Sequence, residues 1–236
     1  MPDPGFAILL EDDDCLGVIK PPGIATQAPV EYDSLEARIK RYLAPAGSDP
    51  GEVYLGIPHR LDRPVTGVMI FAKTRRAARN LAKQFERRRV QKRYWACVER
   101  VVEPNAGTWT DFLWKVYGEP RAQVVAATHP GAQEAVLRYR TVGRHRAGSV
   151  LEIELETGRT HQIRVQASSR GHAVLGDTMY GARAPFGPPV DDQRQQRIGL
   201  LAREFVFFHP TTREETRLVA PLDEAWDALE LDLAAN

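Results

Sequence analysis

Asp62 stands between Arg60 and Arg63 in the stretch His59-Arg60-Leu61-Asp62-Arg63-Pro64-Val65-Thr66-Gly67, which is polar where a core segment would be apolar. Guanidinium groups on either side hold such a carboxylate ionised at neutral pH. With Pro64 and Gly67 fixing the bends of the loop, it can serve as nucleophile, base or electrostatic stabiliser. The competing explanation is an ion pair that only closes a turn, because Arg–Asp pairs are common. A second polar segment, Thr157-Gly158-Arg159-Thr160-His161-Gln162-Ile163-Arg164, follows directly after a strand-like run. Gly158 can make a turn, and Thr160 can cap a helix continuing towards Ser169. On that helix His161, Arg164 and Ser168 fall at i, i+3 and i+7, so they share one polar face. A helix start carrying basic side chains suits a phosphate or carboxylate ligand. For His161 alone, the competing explanation is a buried ring satisfied by the backbone.

Other chemistries lack their residues. There is no HExxH and no CxxC, and Asp12 to Asp14 reads as a solvated turn rather than a cation site. There is also no GxGxxG and no Walker-type phosphate loop. Two cysteines, Cys15 and Cys97, cannot build a disulfide framework or a cysteine-ligated zinc site, which points to a reducing compartment, the cytosol. The acidic opening MPDPGFAILLEDDD does not read as a secretory signal, and no apolar run is long enough to cross a bilayer. What remains is a site of one carboxylate and several arginines, with no metal and no cofactor.

The elements that must position these residues are legible in part. A helix is predicted over 74–89, with Thr74 as N-cap and Ala78, Leu81, Ala82 and Phe85 as a narrow apolar stripe. Arg75, Arg76, Arg79, Lys83, Arg87 and Arg88 lie off that stripe. Residues 60–100 carry 13 Lys/Arg against 3 Asp/Glu inside a chain whose net charge is only +1. So local an excess points to an anionic partner, with a solvated helix face as the alternative. Residues 149–156 (SVLEIELE) alternate, with Leu151, Ile153 and Leu155 facing a core and three glutamates facing out. Further strands are expected over 68–72, 93–98, 134–140 and 200–208, and shorter helices through Tyr42 and after Pro221. Segments 44–52 and 184–197 read as loops. Strands outnumber helices without regular alternation, so the expectation is an α+β fold with a mixed, mostly antiparallel sheet. With 236 residues, 43% of them hydrophobic, one domain over 1–236 is expected, with its core at about 7–220.

Three blocks, HRLDRPVTGVMIFAKT, QKRYWACVE and TGRTHQIRVQASSRGHAVLGDTMYG, closely resemble, in order, the signature blocks of the RluA-type RNA pseudouridine synthases. The opening ILLEDDDCLGVIKPPGIATQAP also resembles that family's entry into its catalytic domain. The resemblance implies isomerisation of uridine to pseudouridine within transfer or ribosomal RNA, without a cofactor, in a basic cleft; because no exposed apolar stripe stands out in the sequence, a monomer is expected. It implies that Asp62 is the essential carboxylate, that Arg164 pairs with it, and that Tyr94 stacks on the target base. Arg60 would fill the gap left by the extruded base, while His59, Lys73, Arg75, Arg76, Arg79, Arg159 and His161 would contact RNA. Leaving the stack costs the base a few kcal/mol, roughly, which phosphate contacts can offset. Two routes are open to the carboxylate: attack on the sugar carbon, or removal of a sugar proton to give a glycal. Val65-Thr66 replaces the family's usual Thr-Ser, Gln166 stands where histidine is frequent, and Ala173 where proline is. No small RNA-binding module precedes the matching blocks, so RNA selection is expected to fall to the catalytic domain itself.

Two other classes compete. One is an RNA-binding protein on the same fold that has lost catalysis and helps RNA to fold; keeping Asp62, Tyr94 and Arg164 together argues against it. The other is a carboxylate-dependent nucleoside or glycoside hydrolase, which needs a second carboxylate that the blocks do not contain.

Overall fold

A computed structural model describes residues 3–233 of the chain. In chain order the strands and helices are β1 (Ala7–Glu11), β2 (Cys15–Lys20), α1 (Leu35–Leu43), β3 (Thr66–Ala72), α2 (Arg75–Glu86), β4 (Gln91–Glu99), β5 (Ala106–Lys115), β6 (Ala122–Val125), β7 (Gln133–His145), β8 (Gly148–Leu155), α3 (Gln162–Ser169), β9 (Leu200–Phe208), β10 (Glu215–Val219), α4 (Glu224–Asp227) and β11 (Asp232–Leu233). This is the expected α+β class, with mostly antiparallel strands. Among the described residues, no helix is long and apolar enough to cross a membrane.

The chain packs as two compact units. The first holds the chain up to Lys92 with residues 192–196 and 202–221; the second holds 93–191, 197–201 and the chain from 222 onward. In the first unit β2 pairs antiparallel with both β1 and β3, and β9 lies beside β3 and pairs with β10. All seven residues of β3 are buried, so its run TGVMIFA is apolar on both faces rather than alternating. Leu35 and Ile39 of α1 and Ala77 and Leu81 of α2 add to this core. Thr74 caps α2 as expected, by accepting from the Ala77 N–H, and of the two residues whose type could cap α1, Asp33 and Ser34, it is Ser34 that does so, by accepting from the Ala37 N–H.

The apolar face of α2 is turned from the one expected: Ala77, Leu81 and Gln84 are buried and Ala82 is exposed. Gln84 can occupy a core position because its amide answers both backbone groups of Phe208, donating to the carbonyl at 2.6 Å and accepting from the N–H at 2.9 Å. The helix also ends sooner, at Glu86, because Arg88 turns to φ 52°.

In the second unit the strand order is β4-β8-β7-β5-β6, with β11 paired to β7. Strand β8 shows the predicted alternation, with Leu151 and Ile153 fully buried. Its outward glutamates, and Glu156 just past its end, meet arginines of the neighbouring strands: Glu154 with Arg93, Glu152 with Arg140 and Glu156 with Arg138. Cross-strand pairing of opposite charges is the ordinary way to keep such a face soluble and in register. The turn after α3 and the α4 segment close this core, where Phe186 meets Trp226 edge-on with ring centroids 5.5 Å apart.

Candidate active site

The loop that carries Asp62 is braced from beneath. Thr26 Oγ1 donates to the carbonyl of Leu61 at 2.9 Å and accepts the Leu61 N–H at 3.1 Å, and the Gly23 N–H donates to the Arg63 carbonyl at 2.9 Å. Lys20 is fully buried, and its Nζ donates to the carbonyls of Pro21, Ile24 and Arg63 at 2.8, 2.9 and 3.1 Å. Burial pushes this ammonium down to about 7, while the negative charge of Asp62 pulls it back up. Thr66 Oγ1 donates to the Lys20 carbonyl at 2.8 Å, so the hydroxyl kept in Val65-Thr66 ties the loop to β2. Gly67 takes φ 129°, and a Cβ there would lie 2.3 Å from the Ala202 carbonyl oxygen, so only glycine fits. Asp62 itself is half-buried and its carbonyl accepts from the Val65 N–H.

The other expected contact residues of this unit have distinct surroundings. His59 clusters with the rings of Phe85 and Phe205, its centroid 5.2 and 5.1 Å from theirs and theirs 5.8 Å apart, and its Nε2 accepts the Ile70 N–H at 3.1 Å. Burial pushes this imidazole down to about 3, so it is neutral. Arg60 and Arg79 are exposed, and the Arg75 guanidinium lies over the Tyr54 ring at 5.0 Å. Lys73 pairs with Glu11, and Arg76 reaches Asp14 and Thr211. Asp12 and Asp14 are therefore not a solvated turn: Asp14 is buried, and Asp12 accepts the N–H groups of Asp14 and Cys15. Asp12, Cys15 and His209 present ligand-type atoms within 4.8 Å of one another. Both ring nitrogens of His209 already have protein partners, Nδ1 accepting from Thr211 and Thr212 and Nε2 donating to Asp12.

In the second unit Tyr94 sits on β4 opposite Ile153 of β8 and is 8% exposed. It points away from the arginine–glutamate face, since alternate residues of a strand face opposite ways. Helix α3 starts later than expected and without the Thr160 cap. His161 takes the N-cap position in a left-handed conformation and makes no side-chain cap. Gln162 organises the turn instead: its Oε1 accepts from Thr157 Oγ1 at 2.8 Å and from the Arg159 N–H at 3.0 Å, and its Nε2 donates to the Val136 carbonyl at 3.1 Å. Arg159 is exposed, with Nε donating to the Glu134 carbonyl.

The polar face of His161, Arg164 and Ser168 exists, and all three residues meet the turn at 177–180. His161 Nδ1 lies 2.8 Å from the Tyr180 hydroxyl, and Ser168 Oγ donates to the Tyr180 carbonyl at 2.6 Å. Arg164 is buried, with Nε 2.6 Å and Nη2 2.9 Å from the two carboxylate oxygens of Asp177, and its guanidinium lies 5.0 Å over the Tyr180 ring. Sequence reasoning did not single out Asp177 or Tyr180, although both lie in the third signature block. Gln166, in the frequent-histidine position, donates from Nε2 to Asp111 at 2.7 Å and to the Trp109 and Ala135 carbonyls.

The chain as a whole is similar to known RNA pseudouridine synthases. The family model described as RNA pseudouridylate synthase matches residues 14–169. Ribosomal large subunit pseudouridine synthase D of Vibrio cholerae is 34% identical over 240 residues, covering 96% of this chain and 70% of that one. The dual-specificity RNA pseudouridine synthase RluA of the same organism is 31% identical over 224 residues, covering 94% and 84%. Among solved structures, human RNA pseudouridylate synthase domain containing 4 superposes with a TM-score of 0.74 at 25% identity, covering 97% of this chain and 95% of that one.

Proposed function

The chain belongs to the RNA pseudouridylate synthase family, and we propose that it isomerises specific uridines of structured RNA with Asp62 as the essential carboxylate. The reaction breaks the bond between base and sugar, turns the uracil and rejoins it through carbon. It transfers no electrons overall and consumes no nucleotide, so the side chains themselves can carry it. Asp62 acts on the target nucleoside, Arg164 keeps the carboxylate ionised, Tyr94 stacks on the displaced base, and Arg60 fills the space the base has left. Transfer or ribosomal RNA is the substrate class we favour, and the name of one relative, a ribosomal large subunit synthase, supports the ribosomal part.

What carries the assignment of Asp62 is its setting. A carboxylate-bearing loop held at Leu61, Arg63 and Thr66 by a buried threonine and a buried lysine is built for placement rather than for closing a turn. The exposed cations Arg79 and Lys83 of α2 support an RNA contact on independent grounds, while Arg75 and Arg76 also make protein contacts, with Tyr54 and with Asp14 and Thr211. Arg75 and Arg76 open a helix whose first turn has no acidic residue. The helix dipole disfavours cations there by roughly 0.3–1 kcal/mol each, a cost their protein contacts offset. The test is tritium release from total RNA labelled with [5-³H]uridine in cells lacking the gene. Release without free uracil supports isomerisation, free uracil indicates hydrolysis, and binding without either indicates an inactive RNA-folding protein.

A further inference from the structure

The far end of β3 holds a cleft that the assigned chemistry does not use. Asp62 precedes this strand and Lys73 follows it. Seven strand residues at about 3.3 Å each put the two ends of β3 roughly 20 Å apart. The cleft has a volume of about 420 Å³ and is lined by Glu11, Tyr42, Leu43, Val53, Tyr54 and Lys73, all in the first unit. That volume falls in the range of small-ligand sites, roughly 300–1,000 Å³.

Its walls come from the ends of β1, α1 and β3 and from the segment that carries Tyr54. Gly56 ties that segment to β3 by exchanging both backbone bonds with Ala72, at 2.8 and 2.9 Å. A Cβ on Gly56 would lie 2.7 Å from the Ala78 Cβ, so the glycine lets α2 approach, and the Arg75 guanidinium lies 5.0 Å over the Tyr54 ring. Glu11 joins the other walls: its carboxylate accepts from the Tyr42 hydroxyl at 2.8 Å and from Lys73 Nζ at 3.2 Å. Phe6 fixes the Tyr42 ring edge-on, with centroids 5.8 Å apart.

These side chains offer what an unpaired nucleotide needs. The exposed Tyr54 ring and the Arg75 guanidinium plane are flat surfaces on which a base can stack. Lys73 gives one of its three donors to Glu11 and keeps two for a phosphate. Each oxygen of Glu11 accepts one bond and retains a lone pair for a base N–H. We propose that this cleft binds one unpaired nucleotide of the substrate RNA, distinct from the target uridine, which cannot occupy both ends of β3 at once. The inference rests on the RNA-modifying assignment above. A free nucleoside monophosphate shares the chemistry, but the cations around the cleft favour a polymer. Arg75, Arg79 and Lys83 are exposed at i, i+4 and i+8, so they form a line along one face of α2. The line runs from the cleft towards Phe85, whose ring meets His59, just ahead of Asp62 in the chain. A single phosphate at the cleft would leave that line unused.

The experiment has three arms, all on the full chain. In the first, wild type is irradiated with short-wave ultraviolet light in the presence of total RNA from cells lacking the gene, and nucleotide–peptide adducts are located by mass spectrometry. An adduct at Tyr54 or Tyr42 is expected. In the second, fluorescence anisotropy with a fluorescein-labelled, mixed-sequence RNA single strand compares wild type with Tyr54→Ala, Tyr54→Phe and Lys73→Gln over a range of salt. Tyr54→Ala should weaken binding about tenfold, the scale of one lost base stack, with the salt slope unchanged, while Tyr54→Phe keeps the ring and should stay within about twofold. Lys73→Gln should weaken binding and flatten the slope by about 0.7, the share of one phosphate on a single strand. In the third, uridine and guanosine monophosphates are titrated calorimetrically. Heat that Tyr54→Ala removes, with the RNA affinity of that variant unchanged, assigns the cleft to a free nucleotide and overturns the RNA site. Adducts at other residues but at neither tyrosine overturn it too, as does an RNA affinity of Tyr54→Ala within about twofold of wild type. A wild type that shows the Tyr54 adduct but releases no tritium refutes the isomerase assignment and leaves the RNA site standing; tritium release with adducts only elsewhere does the reverse.

Discussion

The Lys20 ammonium donates to the carbonyl oxygen of Arg63, 3.1 Å away and 43 residues later in the chain. This bond joins the end of β2 to the residue that follows Asp62. The same ammonium holds Pro21 and Ile24, so one buried cation ties the turn after β2 to the Asp62 loop. Lys20→Met leaves the Pro21 and Ile24 carbonyls without that donor and releases the loop. Turnover should fall on the order of 10²-fold while the protein remains folded. The pH dependence supplies a separate check. Burial lowers the pKa of Lys20 from the ordinary 10.5 to about 7, so the unfolded chain binds more protons between those values. The contribution of Lys20 to stability is therefore least favourable below pH 7 and improves as pH rises towards 10.5, by at most about 1.4 kcal/mol per unit. Urea unfolding from pH 7 to 10 should show a rise in wild type that is absent in Lys20→Met; parallel profiles would refute this.

Asp62→Asn is expected to abolish tritium release while RNA affinity changes less than about threefold. The substitution preserves size, and the bonds that hold the loop come from its backbone and from Lys20 and Thr26, none of which it removes. Activity within tenfold of wild type would show that another group carries the chemistry.

How far the sequence could be read depended on whether a residue acts within its own segment. The alternation of 149–156 and the caps Ser34 and Thr74 are local signals, and the structure contains all three. The hairpin of β5 and β6 was not anticipated, because its burial follows no strict alternation. Strand β7 runs five residues beyond the expected 140 through an irregularity between Thr141 and Gly143, which shifts the register that a period-of-two reading relies on. At the site, Arg164 was found as a cation on a polar helix face. Its anionic holder lies 13 residues on in a glycine-bracketed turn, and spacing alone does not pair such residues. The cap of α3 was missed for a related reason: Gln162 reaches backwards to Thr157 and Arg159, a task that Thr160 was expected to perform.

His59 gives an acid-sensitive contribution of known sign. Its ring is packed against those of Phe85 and Phe205 and held neutral, with the pKa lowered from 6.5 to about 3 by burial and then by the charge of Lys92. Above pH 6.5 the ring is neutral in both states and costs nothing. As pH falls from 6.5 towards 3, the unfolded chain takes up a proton that the folded ring refuses, so stability declines. His59→Gln keeps an acceptor for the Ile70 N–H but cannot titrate. Its urea midpoint should depend less on pH between 6.5 and 4 than that of wild type. Equal dependence would mean that the ring is protonated without strain in the folded protein.

Reversing charge on α2 separates an RNA-binding surface from a solvated one. Arg79 and Lys83 are the suitable pair, because both are exposed and neither belongs to the Asp14–Thr211 network that engages Arg76. They lie four residues apart, so Arg79→Glu with Lys83→Glu exchanges one like-charged pair for another and leaves the balance within the helix similar. The buried residues Ala77, Leu81 and Gln84 are untouched. If each cation neutralises one phosphate, loss of two contacts should flatten the slope of log affinity against log salt by about 1.5–2, alongside weaker binding. Fluorescence anisotropy with a fluorescein-labelled transfer RNA transcript, from 50 to 300 mM salt on the order of the physiological range, measures both. An affinity that falls with the slope unchanged would assign the effect to altered packing, and no change in either would make these two cations part of a solvated face.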